Sequence, residues 1–390
     1  MPHVAIYRTS LIPASETFIK EQALAINAWA KTLIGYQLTP DGLDLTGLNV
    51  CLLPGMTAGL ARAWHTKFCQ WRGTPHPPTV HALRTLGVDL VHAHFGTDAA
   101  DIWPSVKAAS LPMLVTLHGY DINTYREWWE AGNGGQRRRN YPRRLLAMSQ
   151  DKNVRFIAVS NAIRTRAIEY GIPEDKISIV HVGVDTERFR PGGPPIEQRA
   201  RRILFVGRMV EKKAPLLMIR AFAEALKIVP DAELVMIGDG PMLSKAKELA
   251  SSIGVHIRLM GRCGTEDVLK QLQDARVFCL PSVIARNGDA EGLPIVILEA
   301  LACGLPVVTS ANGAVGEAVI DGVNGFTFEP NDLSAMQAGI TALLTDDRKW
   351  RIQSEQARKI SASSHSIIRS IDQLIEVYDS MTSHRGSKDQ

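Results

Sequence analysis

Short apolar runs alternate with longer amphipathic segments along most of the 390-residue chain. Runs of this length predict buried strands of a parallel sheet, and the segments between them predict helices that connect the strands. The predicted strands share this apolar character and lie at 4–7, 31–35, 50–53, 89–95, 113–117, 156–160, 203–206, 233–237, 277–280 and 307–309. The pattern therefore predicts an α/β chain with two doubly wound, Rossmann-like domains.

The segment 186–200 interrupts the alternation with two glycines and three prolines. Such a cluster is typical of a linker between domains. We predict an N-terminal domain over 1–187, a linker over 188–201 and a C-terminal domain over 202–365. A last amphipathic helix and a polar tail are predicted over 366–390.

One predicted helix, at 58–73, carries aromatic residues at helical spacing, with basic residues among them. The aromatic residues are Trp64, Phe68 and Trp71, and the basic ones are Arg62, Lys67 and Arg72. We favour an aromatic stripe that faces the core. A helix lying on a membrane surface is the alternative.

Composition and charge exclude several classes of protein. The net charge of +4 is too small for a dedicated nucleic-acid binder, so we expect no nucleic-acid partner. Five cysteines are scattered without a Cys-x-x-Cys pair, which indicates reduced thiols in a cytoplasmic protein. We recognise no signal peptide and no run of about 18 apolar residues, and we therefore expect a soluble protein.

Polar side chains follow three of the predicted strands in the first half. They are His94, His118 and Ser160. Ligands of an open parallel sheet bind beyond the carboxyl ends of its strands, so these positions are candidates for a site. The turn after the first strand contains no glycine, which counts against a nicotinamide or flavin enzyme. No third ligand with recognisable spacing follows the histidines, and we expect no zinc.

Five arginines fall within the nine residues Gln136–Arg144. A run of charge usually forms a solvated face. Here it follows Trp128 and Trp129, so contact with an anionic lipid or a pyrophosphate-bearing acceptor is an equally weighted interpretation.

The stretch Arg286–Val308 contains two carboxylates, Glu291 and Glu299, on either side of a predicted helix start. Gly292 lets the backbone approach a ligand closely, and Pro294 suits the first turn of a helix. The unpaired N–H groups of that turn attract anions. A carboxylate beside such a site is explained if it accepts hydrogen bonds from sugar hydroxyls. An ordinary amphipathic helix with a solvated glutamate is the other interpretation.

Several motifs together resemble retaining glycosyltransferases of family 4. Glu291-x7-Glu299, followed by Ala-Leu-Ala-Cys-Gly-Leu-Pro, is similar to the signature of that family. The other segments that carry the resemblance are Gly207-Arg208 with Lys213, Gly238-Asp-Gly-Pro, His181–Asp185, Phe189-x-Pro191, Glu317–Gly325 and Ala158–Ile163. Ser15–Ile19, Leu117–Asp121 and Asn287–Pro294 look most like transferases of bacterial exopolysaccharide assembly, of the colanic acid and amylovoran types.

The resemblance implies a GT-B fold, in which two Rossmann-like domains face a cleft and the last helix returns to the N-terminal domain. It implies a retaining hexosyltransferase that uses a UDP- or GDP-sugar. The acceptor would be a glycan or a polyprenyl-pyrophosphate-linked oligosaccharide. No D-x-D pair follows a strand, so neither a metal nor another cofactor is expected. The expected location is the cytoplasm, at the inner face of the plasma membrane, with Arg137–Arg144 as a contact to anionic lipid.

The resemblance also assigns roles to individual residues. The catalytic group comprises His118, Arg208, Lys213 and Glu291. The donor-binding group, in which Glu299 would hold the ribose hydroxyls, comprises Gly207, Gly238, Gly261, Arg262, Gly292, Leu293, Pro294, Ile295 and Glu299. The acceptor side comprises Ser15, Glu16, His94 and Asp121, with Ser15 also predicted to cap the first helix.

Two alternatives stay open at this point. A phosphorylase or sugar-nucleotide epimerase would share the fold, although a phosphorylase needs a longer chain and a pyridoxal-phosphate lysine. A non-catalytic carbohydrate- or membrane-surface-binding protein would keep the fold without the chemistry. In addition, many family members have a glycine-rich loop where this chain has Ser10–Thr17, so the first-domain contacts to the donor phosphate are not assigned.

Overall fold

The computed structural model describes residues 1–55, 60–311 and 313–383. Packing divides the chain into two compact units, Met1–His181 with Ile368–Gln390, and Val182–Ile367. The predicted linker at 188–201 lies inside the second unit. Residues 58–59 of the predicted aromatic helix and 384–390 of the polar tail lie outside the described residues.

The first unit is an α/β unit built on a parallel sheet. Its strands are β1 His3–Tyr7, β2 Ser10–Leu11, β3 Ala30–Gly35, β4 Gln37–Leu38, β5 Val50–Leu52, β6 Leu90–His94, β7 Met113–Leu117, β8 Val154–Ala158 and β9 Ile177–Ile179. Its helices before the second unit are α1 Thr17–Ala25, α2 Leu60–Arg72, α3 Pro77–Thr85, α4 Gly96–Ala108, α5 Tyr120–Asn123, α6 Arg126–Glu130, α7 Tyr141–Ser149 and α8 Asn161–Tyr170.

The second unit repeats this organisation. Its strands are β10 Arg202–Val206, β11 Glu233–Ile237, β12 Arg258–Gly261, β13 Val277–Leu280, β14 Val307–Ser310 and β15 Gly325–Phe328. Its helices are α9 Pro215–Leu226, α10 Leu243–Ser252, α11 Thr265–Asp274, α12 Ile295–Ala302, α13 Leu333–Thr345 and α14 Asp347–Ser364, and the chain then continues into α15 Ile367–Thr382. Short 3-10 turns lie at Gln136–Arg138 and Glu174–Lys176 in the first unit, and at Ile196–Gln198, Glu211–Lys213 and Gly313–Glu317 in the second.

Each unit has one large sheet, and the strand orders are equivalent. The first sheet runs β5-β3-β1-β6-β7-β8-β9, and the second runs β12-β11-β10-β13-β14-β15. Neighbouring strands pair in parallel throughout both. In both sheets the first three strands follow one another towards one edge of the sheet, and the next strands follow one another towards the other edge. This is the doubly wound arrangement of a Rossmann-like domain. The predicted fold class is confirmed.

The strands are apolar because helices cover both faces of each sheet. Val4 to Tyr7 of β1 and all residues of β6, β7, β13 and β14 are buried. Strands buried on both faces lack the alternation of polar and apolar residues seen in half-exposed sheets. This explains why short continuous apolar runs predicted their positions.

Helix α15 belongs to the first unit except for its first residue. Its Tyr378 is fully buried, and the Tyr378 hydroxyl lies 2.7 Å from Nδ1 of His92 in β6. The Trp29 indole N–H donates to Asp379 at 3.0 Å. The other nitrogen of His92 lies 2.7 Å from the Thr116 hydroxyl. Helix α15 is therefore held against the first unit by the buried contact of Tyr378 with His92 and by the part-buried bond between Trp29 and Asp379.

The prediction that the aromatic stripe of α2 faces the core is wrong. Trp64 is 72% exposed, Phe68 40% and Trp71 49%, whereas Thr66 and Gln70 on the opposite side are buried. The polar side chains face inward because they have hydrogen-bond partners there. Among the described residues, no helix has the length and apolar composition needed to cross a membrane.

We predict that Tyr378→Phe destabilises the first unit by about 1–3 kcal/mol, because it leaves one nitrogen of the buried His92 without its partner. Urea unfolding followed by circular dichroism measures the change. Asp372→Ala, at an exposed position of the same helix, should change stability by less than about 0.5 kcal/mol. Equal effects of the two substitutions would contradict the proposed anchoring.

We also predict acid sensitivity from His92. Burial lowers the pKa of His92 from 6.5 to about 3. Between these values the unfolded chain binds a proton that the folded chain does not, so stability is lost as the pH falls below 6.5. The loss is up to about 1.4 kcal/mol per pH unit for this one group. His92→Gln should flatten the pH dependence of unfolding by that amount, and the matched change His81→Gln, at an exposed position, should not. Identical pH profiles for the two variants would refute this account.

Candidate functional site

Each sheet has one pair of neighbouring strands at which the strand order reverses: the chain adds further strands on one side of the first strand, and then on the other side of the second. In the first unit this pair is β1 and β6, and in the second it is β10 and β13. Loops that leave the carboxyl ends of such a strand pair diverge and leave a crevice, where α/β proteins bind ligands. The charged residues described below follow these strands.

In the second unit, two predicted catalytic residues contact each other directly. Lys213 ends the 3-10 turn that follows β10, and Glu291 lies in the loop after β13. Nζ of Lys213 is 2.8 Å from Oε1 of Glu291, and the Ser282 hydroxyl donates to the same oxygen at 3.4 Å. The sequence placed both groups at one site but did not predict their ion pair.

Burial and charge act against each other in this pair. Burial favours protonation of Glu291, but Lys213, with Lys212 and Ser282, outweighs it and holds the pKa of Glu291 below its usual range. Burial also lowers the pKa of Lys213, which Glu291 offsets only in part. Glu291 is therefore a carboxylate, suited to accept hydrogen bonds. An ammonium group has three N–H donors, so Lys213 retains donors beyond the one used by Glu291.

A second ion pair lies beside the first. Nζ of Lys212 is 2.9 Å from Oδ1 of Asp289, and both side chains are largely buried. The Lys212 carbonyl also accepts the N–H of Val283, which ties the turn after β10 to the loop after β13. Sequence reasoning missed this pair. The sequence feature that could have indicated it is the match between two adjacent lysines, Lys212 and Lys213, and two nearby carboxylates, Asp289 and Glu291.

One of the predicted glycines, Gly238, is required by close backbone packing. Gly238 has φ +133°, and a Cβ there would lie 2.0 Å from the Gly207 carbonyl oxygen. Its N–H donates to the Gly261 carbonyl at 2.7 Å. A side chain at 238 would therefore push the loop after β10 out of position, and with it Lys213.

Helix α12 begins at Ile295, and Pro294, which the sequence placed in the first turn, is the residue before the helix. Gly292 and Leu293 are buried in the turn that leads into the helix, and Glu299 is half-buried within it. The first N–H groups of a helix have no partner inside the helix and point beyond its start. The structure therefore has a helix start where the sequence predicted one.

The remaining predicted donor-side cations are exposed. Arg208 lies on the surface of the loop after β10. Arg262, just after β12, has Nε 3.5 Å from Oδ2 of Asp239. Both guanidinium groups are therefore accessible to a ligand from solvent.

In the first unit, an arginine that the sequence analysis did not single out organises the loop after β1. Arg8 forms a two-pronged contact with Glu16, at 2.9 Å and 2.6 Å, and an ion pair with the buried Asp98. Asp98 also accepts the N–H of Thr9 at 2.8 Å. The position of Arg8 directly after the first strand was the signal for it. Glu16 is thus held by Arg8, and the network orders the loop after β1.

Ser15 does not cap α1, contrary to the prediction. The helix begins at Thr17, and the residue at its cap position is Glu16, whose side chain forms no capping bond. Ser15 is exposed. The ion pair between Arg8 and Glu16 fixes the entry to the helix instead.

His94 and His118 come together at the ends of β6 and β7. Nδ1 of His94 lies 3.0 Å from Nε2 of His118, so one ring donates to the other. His94 is buried, whereas His118 remains half-buried against Phe18 and Phe95. Burial lowers the pKa of both histidines, and Arg8 lowers them further. Both rings are therefore neutral at pH 7, and such a pair can donate and accept hydrogen bonds without adding charge.

Asp121 and Ser160 have structural partners. The fully buried carboxylate of Asp121 accepts N–H groups from Gly96 at 2.7 Å, His118 at 3.1 Å and Gly119 at 3.0 Å. It therefore holds the two loops that carry the histidines. The Ser160 hydroxyl accepts the N–H of Ile163 at 3.1 Å and caps α8. Among the described residues, no cluster of three or more His, Cys, Asp or Glu side chains has the geometry of a metal site.

Comparisons with known proteins identify two family regions in the chain. The Glycosyltransferase Family 4 model matches residues 56–188, and the Glycosyl transferases group 1 model matches residues 187–360. The two matches adjoin near the predicted end of the first domain. The second match contains the ion pairs of Lys213 with Glu291 and of Lys212 with Asp289.

The curated relatives include exopolysaccharide enzymes. Amylovoran biosynthesis glycosyltransferase AmsK of Erwinia amylovora is 29% identical over 255 residues, which cover 64% of this chain and 59% of AmsK. The putative colanic acid biosynthesis glycosyltransferase WcaL of Escherichia coli K12 is 29% identical over 189 residues, 48% of this chain and 47% of WcaL. A GDP-mannose-dependent alpha-(1-6)-phosphatidylinositol monomannoside mannosyltransferase of Mycolicibacterium smegmatis is 34% identical over 203 residues, 49% of this chain and 53% of that protein. The chain thus matches about half the length of these relatives.

Solved structures share the fold at low identity. Anabaena Alr3699/HepE, crystallised in complex with UDP and glucose, superposes with a TM-score of 0.79 and 17% identity over 97% of this chain and all of HepE. A glycosyltransferase of Rickettsia africae ESF-5 superposes with a TM-score of 0.72 and 17% identity over 97% of this chain and 98% of its own. With two doubly wound units and family matches that together span residues 56–360, the chain belongs to glycosyltransferase family 4 and has the GT-B fold.

Proposed function

We propose that this protein is a retaining, metal-independent glycosyltransferase that uses a nucleoside-diphosphate sugar as donor. The observation that carries the proposal is the buried ion pair of Lys213 with Glu291, 2.8 Å long, in loops that follow the neighbouring strands β10 and β13. A buried pair of charges contributes little to stability once its desolvation is counted. A ligand with a diphosphate at one end and sugar hydroxyls at the other would explain both charges, because Lys213 can contact the anion and Glu291 can accept hydrogen bonds from the hydroxyls.

In the proposed reaction, the bond between the anomeric carbon and the β-phosphate oxygen breaks, and an acceptor hydroxyl oxygen bonds to the same carbon. The acceptor attacks from the face that the phosphate leaves, and its proton passes to an oxygen of the departing phosphate. Negative charge builds up on the diphosphate as the bond breaks. Fixed N–H donors and cations that are already aimed at this charge lower the barrier without reorganising.

Lys213 and Arg208 are the cations that we assign to the diphosphate, together with the N–H groups at the start of α12. A lysine acts as a point charge, whereas an arginine offers a fork of donors. Glu291 is assigned to the hydroxyls of the transferred sugar. Its lowered pKa suits an acceptor of hydrogen bonds and does not suit a general acid. The front-face reaction needs no pair of carboxylates of the glycosidase kind.

The other donor contacts follow the same logic. Glu299 is assigned to the ribose hydroxyls, and the turn at Gly261 and Arg262 to the base of UDP or GDP. Gly207 and Gly238 keep the backbone close enough for the diphosphate to approach. His118 is assigned to the transferred sugar, with His94 behind it and Ser15 and Glu16 on the acceptor side.

The biological setting that we propose is the assembly of a bacterial exopolysaccharide on a glycan or polyprenyl-pyrophosphate-linked acceptor. The similarity to the exopolysaccharide biosynthesis proteins AmsK and WcaL supports this choice. The mannosyltransferase of Mycolicibacterium smegmatis is GDP-mannose-dependent, and HepE was crystallised with UDP. Both bases are therefore retained as candidates.

A nucleotide screen identifies the donor class. UDP and GDP are added separately at about one hundred times their dissociation constants, where a single site should stabilise the folded chain by about 2.7 kcal/mol. The matching nucleotide should raise the unfolding temperature, and the corresponding UDP- or GDP-sugars are then assayed for hydrolysis and transfer. Retention is checked by NMR of the anomeric proton of the product. Binding without hydrolysis or transfer across both panels would favour a carbohydrate-binding protein on this fold instead.

Lys213→Ala and Glu291→Ala should each reduce kcat/KM for transfer by about 30- to 1000-fold, which corresponds to about 2–4 kcal/mol of transition-state stabilisation. Lys213→Ala removes a cation from the leaving group, and Glu291→Ala removes an acceptor for the sugar hydroxyls. Steady-state kinetics with the donor found in the screen measures the loss.

The matched controls are Lys245→Ala and Glu248→Ala, at exposed positions of α10 in the same unit. They should retain wild-type kinetics. Because removing one partner leaves the other charge buried and unpaired, a Lys213→Gln/Glu291→Gln double variant tests the same site without an unpaired charge. Wild-type kcat/KM in a folded Glu291→Ala enzyme would overturn the assignment.

A further inference from the structure

Helix α2, Leu60–Arg72, packs against the first unit with its polar side. Thr66, Cys69 and Gln70 are its buried residues. The Thr66 hydroxyl donates to the Arg62 carbonyl at 3.0 Å and lies 3.3 Å from Nε2 of His76. A helix that packs by hydrophobic burial alone would turn its aromatic side inward.

The opposite side of α2 is an apolar stripe of large exposed residues. Leu60 is 92% exposed, and Trp64, Phe68 and Trp71 continue the line at helical spacing. The rings of Trp64 and Phe68 lie 6.2 Å apart, and those of Phe68 and Trp71 lie 6.0 Å apart. The stripe therefore extends along the whole helix, over about 17 Å.

Arginines from the run at 137–144 hold α2 in this orientation. Arg137 donates to the Gln70 side chain at 2.8 Å, and Arg144 donates to the backbone carbonyls of Gln70 and Trp71. Both arginines also form ion pairs with the buried Asp101. Turning the aromatic side of α2 inward would break these bonds, so the contacts of the two arginines keep the stripe exposed.

The charge beside the stripe indicates what covers it. Arg62, Lys67 and Arg72 are exposed on the same helix, and Leu60–Arg72 contains no acidic residue. A second copy of the chain docked on this stripe would bring two sets of like charges together, which is unfavourable. An anionic bilayer surface complements the charge, and tryptophan is enriched at the boundary between headgroups and acyl chains.

We propose that α2 is an interfacial helix, which inserts Leu60, Trp64, Phe68 and Trp71 into the headgroup region of an anionic membrane while Arg62, Lys67 and Arg72 contact the lipid phosphates. The membrane contact is thereby assigned to this helix. Within the arginine run, Arg137, Arg138 and Arg144 are occupied by Asp98 and Asp101. The inference goes beyond the proposed transfer reaction, because it concerns where the protein works and uses none of the residues assigned to the donor.

The test is co-sedimentation of the full chain with vesicles of phosphatidylcholine containing about 30 mol% phosphatidylglycerol, compared with phosphatidylcholine alone. Wild type should bind the anionic vesicles and lose most of its binding as NaCl rises from about 0.05 to 0.5 M. Trp64→Ser/Phe68→Ser should weaken binding at least about tenfold, because two apolar contacts are lost. Arg62→Gln/Lys67→Gln should weaken it about 25-fold, at about fivefold per basic residue.

Matched controls lie outside the helix. Tyr125→Ser removes another exposed aromatic residue of the first unit, and Lys245→Gln/Lys247→Gln removes two exposed charges from α10. Both should bind vesicles as wild type does. Every substitution is at an exposed position, and circular dichroism melts should confirm that all variants fold.

Absence of binding to the anionic vesicles, or wild-type binding by the Trp64→Ser/Phe68→Ser variant, would overturn the proposal. A concentration-dependent dimer that this variant abolishes, seen by light scattering, would assign the stripe to a second copy instead and equally overturn it. Nucleotide binding and transfer to a soluble acceptor should be unchanged in the α2 variants. Failure of the membrane contact is therefore distinguishable from failure of the transferase assignment.

Discussion

Lys213 and Glu291 carry opposite charges within 2.8 Å of each other in surroundings that largely exclude water. Desolvating two charges costs several kcal/mol, and their attraction repays this only with good geometry and further hydrogen bonds. The protein supplies these through Ser282, through the neighbouring pair of Lys212 with Asp289, and through close backbone packing under the turn that carries both lysines. Much of the local structure after β10 and β13 therefore serves to keep one ammonium and one carboxylate ionised and fixed.

The first unit applies the same principle at the equivalent place in its own sheet. Arg8 follows the first strand and is paired with Asp98 and Glu16, so a charged network occupies the loop after that strand. Next to it, His94 and His118 are kept neutral by burial and by the cation. Preorganised charge in both units fits a reaction in which charge moves between groups that the protein has already oriented.

The sequence predicted the fold well because both sheets are buried on two faces, so their strands appear as continuous apolar runs. It predicted the positions of Lys213 and Glu291 because short motifs place them at strand ends. It missed the ion pairs of Arg8 with Asp98 and of Lys212 with Asp289, whose partners lie 90 and 77 residues apart in the chain. It also gave the wrong orientation for α2, because helical periodicity shows that a helix has two sides but not which one faces the core. That choice was decided by Arg137 and Arg144, which bind the polar side through contacts about 70 residues apart.

The central claim is that the Lys213–Glu291 pair is the reactive end of a donor site. A crystal structure of the protein with the nucleoside diphosphate that stabilises it tests this most directly. The account predicts that Nζ of Lys213 lies about 2.7–2.9 Å from an oxygen of the β-phosphate, the usual length of a charge-assisted hydrogen bond. It also predicts that the ribose hydroxyls donate to Glu299 and that Glu291 stays unblocked for the sugar. A diphosphate bound away from the start of α12, with Lys213 contacting only Glu291, would contradict it.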